Sequence, residues 1–409
     1  MVSEIYTYKN PSPNSRTKDG PLSGRRVVIQ PNMSVRGWLT DAGSRALEGF
    51  VAIEDATVVT RLMNAGAKLV GSSRMSELGF GLVGDTATRV LSGGEANIAL
   101  VTDTMGEARV AAGGSGLFGF KPSFGTVSRF GLVGLVPSME CYGILGKRLE
   151  DIVGTLSVIA GKDKDDPSMP DEEWTAFTAT REPLKLPCTA GVVKECLGIL
   201  DDRECKAFRA GLARLEGAGL TIREVSQSDF DLFRVVHNVV ASVEASSSAG
   251  KYDGVRYGHR SSSGKNWNDM YLNSRGESFG SLIKTFLFQG AYFQFENYPA
   301  FENACRNRHR LVRATTDLLG QVDLLVFPTR RLEHDAAMAD TINHIYDAFS
   351  LTLPANVTGQ PSLHVPSLAL HSGADIGVQL TGLRLEDSRL LSIGMKLSST
   401  AQGVESHEV

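Results

Sequence analysis

Two carboxylates and a guanidinium fall within one short stretch, Asp103-Thr104-Met105-Gly106-Glu107-Ala108-Arg109, inside a segment (91–131) dense in glycine, serine and threonine. A carboxylic acid held among apolar neighbours resists ionisation, so Glu107, with Asp103 and Arg109 beside it, could serve as a general acid. No second carboxylate or base stands at a spacing that would complete an acid/base pair. Hydroxyl chemistry is the other option for such a segment. A serine attacks a carbonyl only when a neighbouring base takes its proton, so nucleophile, relay and base act as a unit. The eight histidines include no pair at metal-ligand spacing, and His364, inside the apolar run LHVPSLAL, reads as a core residue. Cysteines 141, 188, 196, 205 and 305 are scattered without CxxC pairs. They predict reduced thiols of an intracellular protein rather than a zinc site or a disulfide framework. No metal or cofactor is expected.

The segment LSGGEANIALVTDTMGEARVAAGGSGLFGFKPSFGTVSRFG (91–131) resembles the glycine- and serine-rich signature of the amidase signature family, which reads approximately GGSSGGS…GSDTGGSIRxPA…G(L/F)KPTxGxVSRxG. Further runs are similar to the A-subunit branch of the glutamyl-tRNA(Gln) amidotransferases. These are Glu244-Ala245-Ser246-Ser247, Lys251 to Arg260 (KYDGVRYGHR), Ser274 to Gly280 (SRGESFG), Val322 to Thr329 (VDLLVFPT), Pro354 to Pro361 (PANVTGQP) and Gly377 to Leu380 (GVQL). The likeness runs from about residue 20 to about 400. It implies an amidase-signature fold: one α/β/α domain with a central mixed sheet flanked by helices on both faces.

The resemblance also implies where catalytic groups should stand. The proton-shuttling lysine closes a strand that here reads RVVIQPNM and ends in Gln30, the relay serine aligns with Leu91, and the nucleophilic serine with Glu107. An amide cannot cycle a proton near neutral pH, a leucine has no hydroxyl, and losing any member of such a unit costs several powers of ten in rate. The span from Ser92 to Asp103 also reads as several residues shorter than the family's. In the implied substrate pocket, near Tyr257, the family's paired arginines are replaced by Thr285 and Phe286. Its substrate-facing aspartate aligns with Phe349, with Asp347 two positions away. Neither a hydroxyl nor a phenyl ring reproduces an arginine fork on a carboxylate. The reading is a catalytically degenerate member, a non-catalytic scaffold or partner subunit of a larger assembly, RNA-handling or organellar. The alternatives are a repurposed enzyme using Glu107 in the old pocket, or an active glutamine amidotransferase subunit.

The elements that must position these residues follow from composition and periodicity. A chain of 409 residues, 42% apolar and 22% charged, suits a soluble globular protein, and a net charge of −4 gives no reason for nucleic-acid binding over the whole surface. Strands are predicted at Val27–Gln30, Lys68–Val70, Leu186–Val193 and Leu220–Val225. Helices are predicted at Asp55–Ala65, with an aspartate capping its start, and at Glu150–Ile159, Asp201–Glu216 and Ala304–Leu319. Residues 1–20 read as a polar extension without a targeting signal, 21–400 as the domain, 161–182 as an acidic solvated loop, 256–273 as a mobile loop, and 401–409 as a polar tail. The family's extra N-terminal helices are missing, which predicts a trimmed or processed chain. No apolar run is long enough to cross a membrane, and the expected location is cytoplasmic or organellar, mitochondria included. Arg306, Arg308, Arg310 and Arg313 on the 304–319 helix form the candidate RNA contact. The run Phe286 to Tyr298 (FLFQGAYFQFENY) is the candidate protein docking face.

Overall fold

The computed structural model describes residues 4–170, 188–366 and 376–405. In chain order the elements are β1 (Tyr6–Lys9), β2 (Arg26–Ile29), α1 (Thr57–Asn64), β3 (Lys68–Ser73), α2 (Ala87–Ser92), β4 (Ile98–Asp103), α3 (Glu107–Gly113), β5 (Phe118–Lys121), β6 (Cys141–Gly146) and α4 (Leu149–Ile159). They continue with β7 (Cys188–Val193), α5 (Asp202–Gly217), β8 (Leu220–Val225), α6 (Leu232–Ser248), α7 (Trp267–Ser278), α8 (Ser281–Phe295) and α9 (Tyr298–Leu319). The last are β9 (Leu324–Pro328), α10 (Ile342–Phe349), α11 (Leu353–Thr358), β10 (Ser362–Val365), β11 (Val378–Thr381) and α12 (Asp387–Glu405), and five short 3₁₀ turns lie between them.

All eleven strands join one mixed sheet, in the order β1-β3-β2-β4-β6-β5-β10-β11-β9-β7-β8. Pairing is parallel where β2 meets β3 and β4, and where β7 meets β8 and β9, and antiparallel elsewhere. The sheet must be covered on both faces, because its central strands β4, β5, β6, β9, β10 and β11 are buried at every position. In β9, Leu325 and Phe327 enter a core shared with α6, α8 and α10, while Leu324 and Val326 enter a second core shared with α4, α5 and α12. In β4, Ile98 and Leu100 face that second core, and Ala99 and Val101 face a satellite cluster with α2 and α3. This is the expected architecture, helices on both faces of a central mixed sheet.

Helices α6 and α8 meet backbone to backbone. A Cβ on Gly290 would fall 1.8 Å from the Ser242 carbonyl oxygen, so only glycine permits this approach. At α5, Asp201 accepts from the Glu204 amide and the Glu204 carboxylate returns to the Asp201 amide, a capping box.

Several expectations are corrected. Residues 6–9, assigned to a polar extension, form edge strand β1, with Tyr6 buried. Asp55 does not cap α1; its carboxylate accepts from the Arg36 amide and pairs with Arg16. Residues 161–170 of the acidic loop are tied down, with Asp163 accepting from Thr57 and Ser128 and Asp166 from the Arg129 amide, whereas 171–182 lie outside the described residues. The proposed mobile loop 256–273 contains the start of α7, capped by Asn266. Helix α12 runs through residues 401–405 of the proposed tail.

Candidate functional site

Strand β4 ends at Asp103, α3 begins at Glu107, and the three residues between make a turn that leaves their N–H groups free of strand and helix partners. Gly106 is the pivot. Its φ of 123° is open to glycine, and a Cβ there would lie 2.1 Å from Thr352 Oγ1. The turn converges three amides on one point, and the Glu107 carboxylate occupies it. Oε2 accepts from Thr104 N at 2.7 Å, Met105 N at 2.8 Å and Gly106 N at 3.1 Å, while Oε1 accepts from Gly81 N at 3.2 Å. Converging backbone donors are the device that stabilises an oxyanion in acyl transfer. In this chain the donors are satisfied from within, and Glu107 is 3% exposed. Burial, seconded by the charge of Asp103, pushes the Glu107 carboxyl up to about 8, while the amides of Met105 and Thr104 pull the other way.

Asp103 and Arg109 belong to a structural lock. The Arg109 guanidinium donates to both Asp103 oxygens (Nη2–Oδ1 2.9 Å, Nε–Oδ2 3.3 Å), to the Thr352 carbonyl at 3.1 Å, to Gln379 Oε1 at 3.0 Å and to Asn356 Oδ1. Asn356 Nδ2 returns two bonds of 2.9 Å to Asp103. Both charged side chains are fully buried. All five N–H donors of this fork are committed within the lock, so Arg109 has none to offer a ligand.

Gln30, just past β2, is likewise immobilised. Its Nε2 donates to Asp85 Oδ2 at 2.6 Å, and its Oε1 accepts from Thr102 N at 2.8 Å and Thr102 Oγ1 at 3.1 Å. The side chain bridges two neighbouring strands and the start of α2. Leu91 is a correction. It lies on α2, fully buried among Val28, Val90, Ala99 and Val101, and packs the helix onto the sheet. The segment that reaches Glu107 from this side is Gly79 to Gly81, through the Gly81 amide. A repeated Gly-Gly drew Leu91 into the expected register, but Gly93-Gly94 ends α2 instead.

Sequence reasoning missed His237 and Tyr346. The carbonyl of Thr104 can only accept, so His237 Nε2 donates to it at 3.0 Å, and Nδ1 therefore accepts from the Tyr346 hydroxyl at 2.9 Å. Burial lowers His237 to about 4 and raises Tyr346 well above the usual phenol value, so both are neutral supports of the loop. A lone histidine in the apolar helix LFRVVHNVVASVEASSS carries no signal that would have singled it out.

The structure does not gather the other expected pocket residues into one site. Thr285 is exposed and, among the described residues, its hydroxyl bonds to the Ser281 carbonyl of its own helix. Phe286 is fully buried and stacks on Phe80, with ring centroids 4.4 Å apart, beside the Gly81 loop. Phe349 is fully buried core, Asp347 pairs with Arg234, and Tyr257 packs against Phe50 and Tyr252. Among the four arginines, Arg308 is committed inward, to the Val357 carbonyl and to Ser138 Oγ and O. Arg306, Arg310 and Arg313 are exposed, with Arg306 near Glu302 and Arg310 near Asp229. Among the described residues no group of three or more His, Cys, Asp or Glu could hold a metal ion, and no helix is long and apolar enough to cross a membrane.

Comparison with known proteins places this geometry. The amidase family profile matches residues 7–90 and 89–391. The glutamyl-tRNA(Gln) amidotransferase A-subunit of Symbiobacterium thermophilum is 33% identical over 404 residues, covering 92% of this chain and 83% of the relative. That of Haloarcula marismortui is 30% identical over 409 residues, covering 93% and 96%. Among solved structures, the Thermotoga maritima glutamyl-tRNA(Gln) amidotransferase A-subunit superposes with a TM-score of 0.75 at 24% identity, covering 95% of this chain and 86% of that one.

Proposed function

The chain belongs to the amidase family, and within it we propose that the protein works without amide-hydrolysing chemistry, as a scaffold or partner subunit of a multi-subunit assembly in the cytoplasm or an organelle. The observation that carries this reading is the Glu107 carboxylate seated on the amides of Gly81, Thr104, Met105 and Gly106. Amide hydrolysis needs those donors for the carbonyl oxygen as it gains charge. Gln30 supports the same reading, because an amide side chain held at both ends replaces a proton carrier. The relatives are named as subunits, which favours an assembly over a lone enzyme. The purified protein should release no ammonia from glutamine, asparagine or simple amides above background, and serine-directed fluorophosphonates should not label it. Ammonia release abolished by Glu107→Ala overturns the proposal.

One observation favours a second reading, a repurposed acid catalyst. A carboxyl pushed up to about 8 holds a proton at neutral pH and could donate it. Turnover that depends on Glu107 and falls above pH 8 would establish it.

A further inference from the structure

Beside the cradle lies a cleft of about 240 Å³ for which the proposed scaffold role has no use. Its polar lining is Asp85, Thr88, Ser115, Arg330, His334 and Asp335, over apolar surface from Leu82 and Val110. Leu82 follows the amide that holds Glu107, and Val110 lies one turn into the helix that Glu107 begins, so cleft and cradle share a wall.

Arg330 is the distinctive group. It is half-buried just beyond β9, yet among the described residues its guanidinium makes no hydrogen bond or ion pair. Its nitrogens face the solvent of the cleft and not a protein acceptor, which leaves the donors of a planar fork available to an anion. Its position is built for. The guanidinium lies on the turn after α3, where a Cβ at Gly114 would come 2.7 Å from Nη1 and one at Gly113 would come 3.5 Å from Cδ. The hydroxyls of Thr88 and Ser115 are also unpartnered among the described residues. The two carboxylates of the cleft hold backbone and side-chain donors and do not pair with Arg330, though each Asp85 oxygen accepts only one bond and keeps a lone pair for a ligand donor. Asp85 accepts from Gln30 and the Ala87 amide, and Asp335 accepts from the Ala337 amide. Neither neutralises Arg330, and together they disfavour a second negative charge on a ligand.

We propose that this cleft is a binding site for a small monocarboxylate bearing a hydroxyl or ammonium group, its carboxylate forked by Arg330 and its donor end met by Asp85. The fork geometry of arginine matches a planar carboxylate through two parallel bonds. The volume is below that of drug-sized pockets, which limits the ligand to a small metabolite. The site is independent of whether Glu107 is chemically idle.

Calorimetric titration of the full chain with glycolate, glycine, acetate, succinate and inorganic phosphate, at fixed chloride, tests this. Glycolate or glycine should bind at least about tenfold more tightly than succinate or phosphate. Arg330→Met should abolish that binding with an unchanged or higher melting temperature, since it removes an unpaired charge. Gly114→Ala, whose backbone conformation tolerates a side chain, should weaken binding without unfolding by displacing the guanidinium. The proposal fails if none of the probes binds at millimolar concentration, if Arg330→Met binds as wild type, or if phosphate or succinate binds best.

Discussion

Replacing Arg109 by methionine is the sharpest test of the claim that Asp103 and Arg109 are a lock and not a reacting pair. The substitution keeps an apolar stem of similar reach and deletes the guanidinium. It leaves Asp103, fully buried, with Asn356 Nδ2 as its remaining side-chain donor, and strips donors from Asn356 Oδ1, Gln379 Oε1 and the Thr352 carbonyl. Breaking a buried pair by removing one partner costs about 3–5 kcal/mol, most of it from the charge left behind. With an unfolding entropy of about 2 cal/mol/K per residue, a chain of this length loses roughly 1 °C for each kcal/mol. A melting temperature about 4 °C lower is therefore expected by differential scanning fluorimetry. Adding Asp103→Asn removes the orphaned charge while keeping the side-chain acceptor for Asn356, so the double variant should recover about 1–3 kcal/mol relative to the sum of the single changes. An Arg109→Met variant as stable as wild type would refute the reasoning, and so would strict additivity in the cycle.

Two further outcomes follow from the same geometry. Glu107 and Asp85 are raised, to about 8 and about 6, by burial, so the native state holds their protons more tightly and their contribution is lost as pH rises through those values. His237 and His364 are lowered by burial, to about 4 and about 3, so acid favours the unfolded chain up to its own imidazole value near 6.5. Stability should peak near pH 6.5 and fall by about 2 kcal/mol by pH 8, and chemical denaturation of Glu107→Gln should lack that alkaline fall. On α8, Phe288 and Phe295 are 73% and 75% exposed, so changing both to serine should leave the melting temperature within about 1 °C of wild type. Phe286→Ser, by contrast, should cost about 3–5 kcal/mol. If the exposed pair unfolds the protein instead, that face is core.

What could be read in the sequence was framework. Strand β8 spans the predicted Leu220–Val225, and α5 begins directly after Asp201, the predicted first residue, which turns out to be its cap. Glu107 was legible because Asp-Thr-x-Gly and Gly-Phe-Lys-Pro fix its register from both sides. What it does was not, since a carboxylate turned back onto the amides one, two and three residues upstream needs the φ of Gly106 and the wall made by Thr352. Leu91 went astray because a Gly-Gly pair ends helices as well as it builds loops. Thr285 and Phe286 are adjacent in sequence, yet helical rotation puts one in solvent and the other against Phe80. His237 and Arg330 lie far in sequence from the loops they support or flank, and local pattern carries no trace of such pairings.

The backbone contact at Gly290 has a mechanical consequence. Side-chain layers between helices absorb small displacements by changing rotamers, but α6 and α8 have no such layer where Gly290 meets Ser242. A load applied to the exposed aromatic face of α8 is therefore passed to α6 with little slack. Helix α6 carries His237, whose ring is bonded to the Thr104 carbonyl of the turn that holds Glu107. Two stiff links thus connect an outer surface to the innermost loop of the molecule. That route makes the loop a position where docking on α8 would register, whether or not any bond is ever cleaved there.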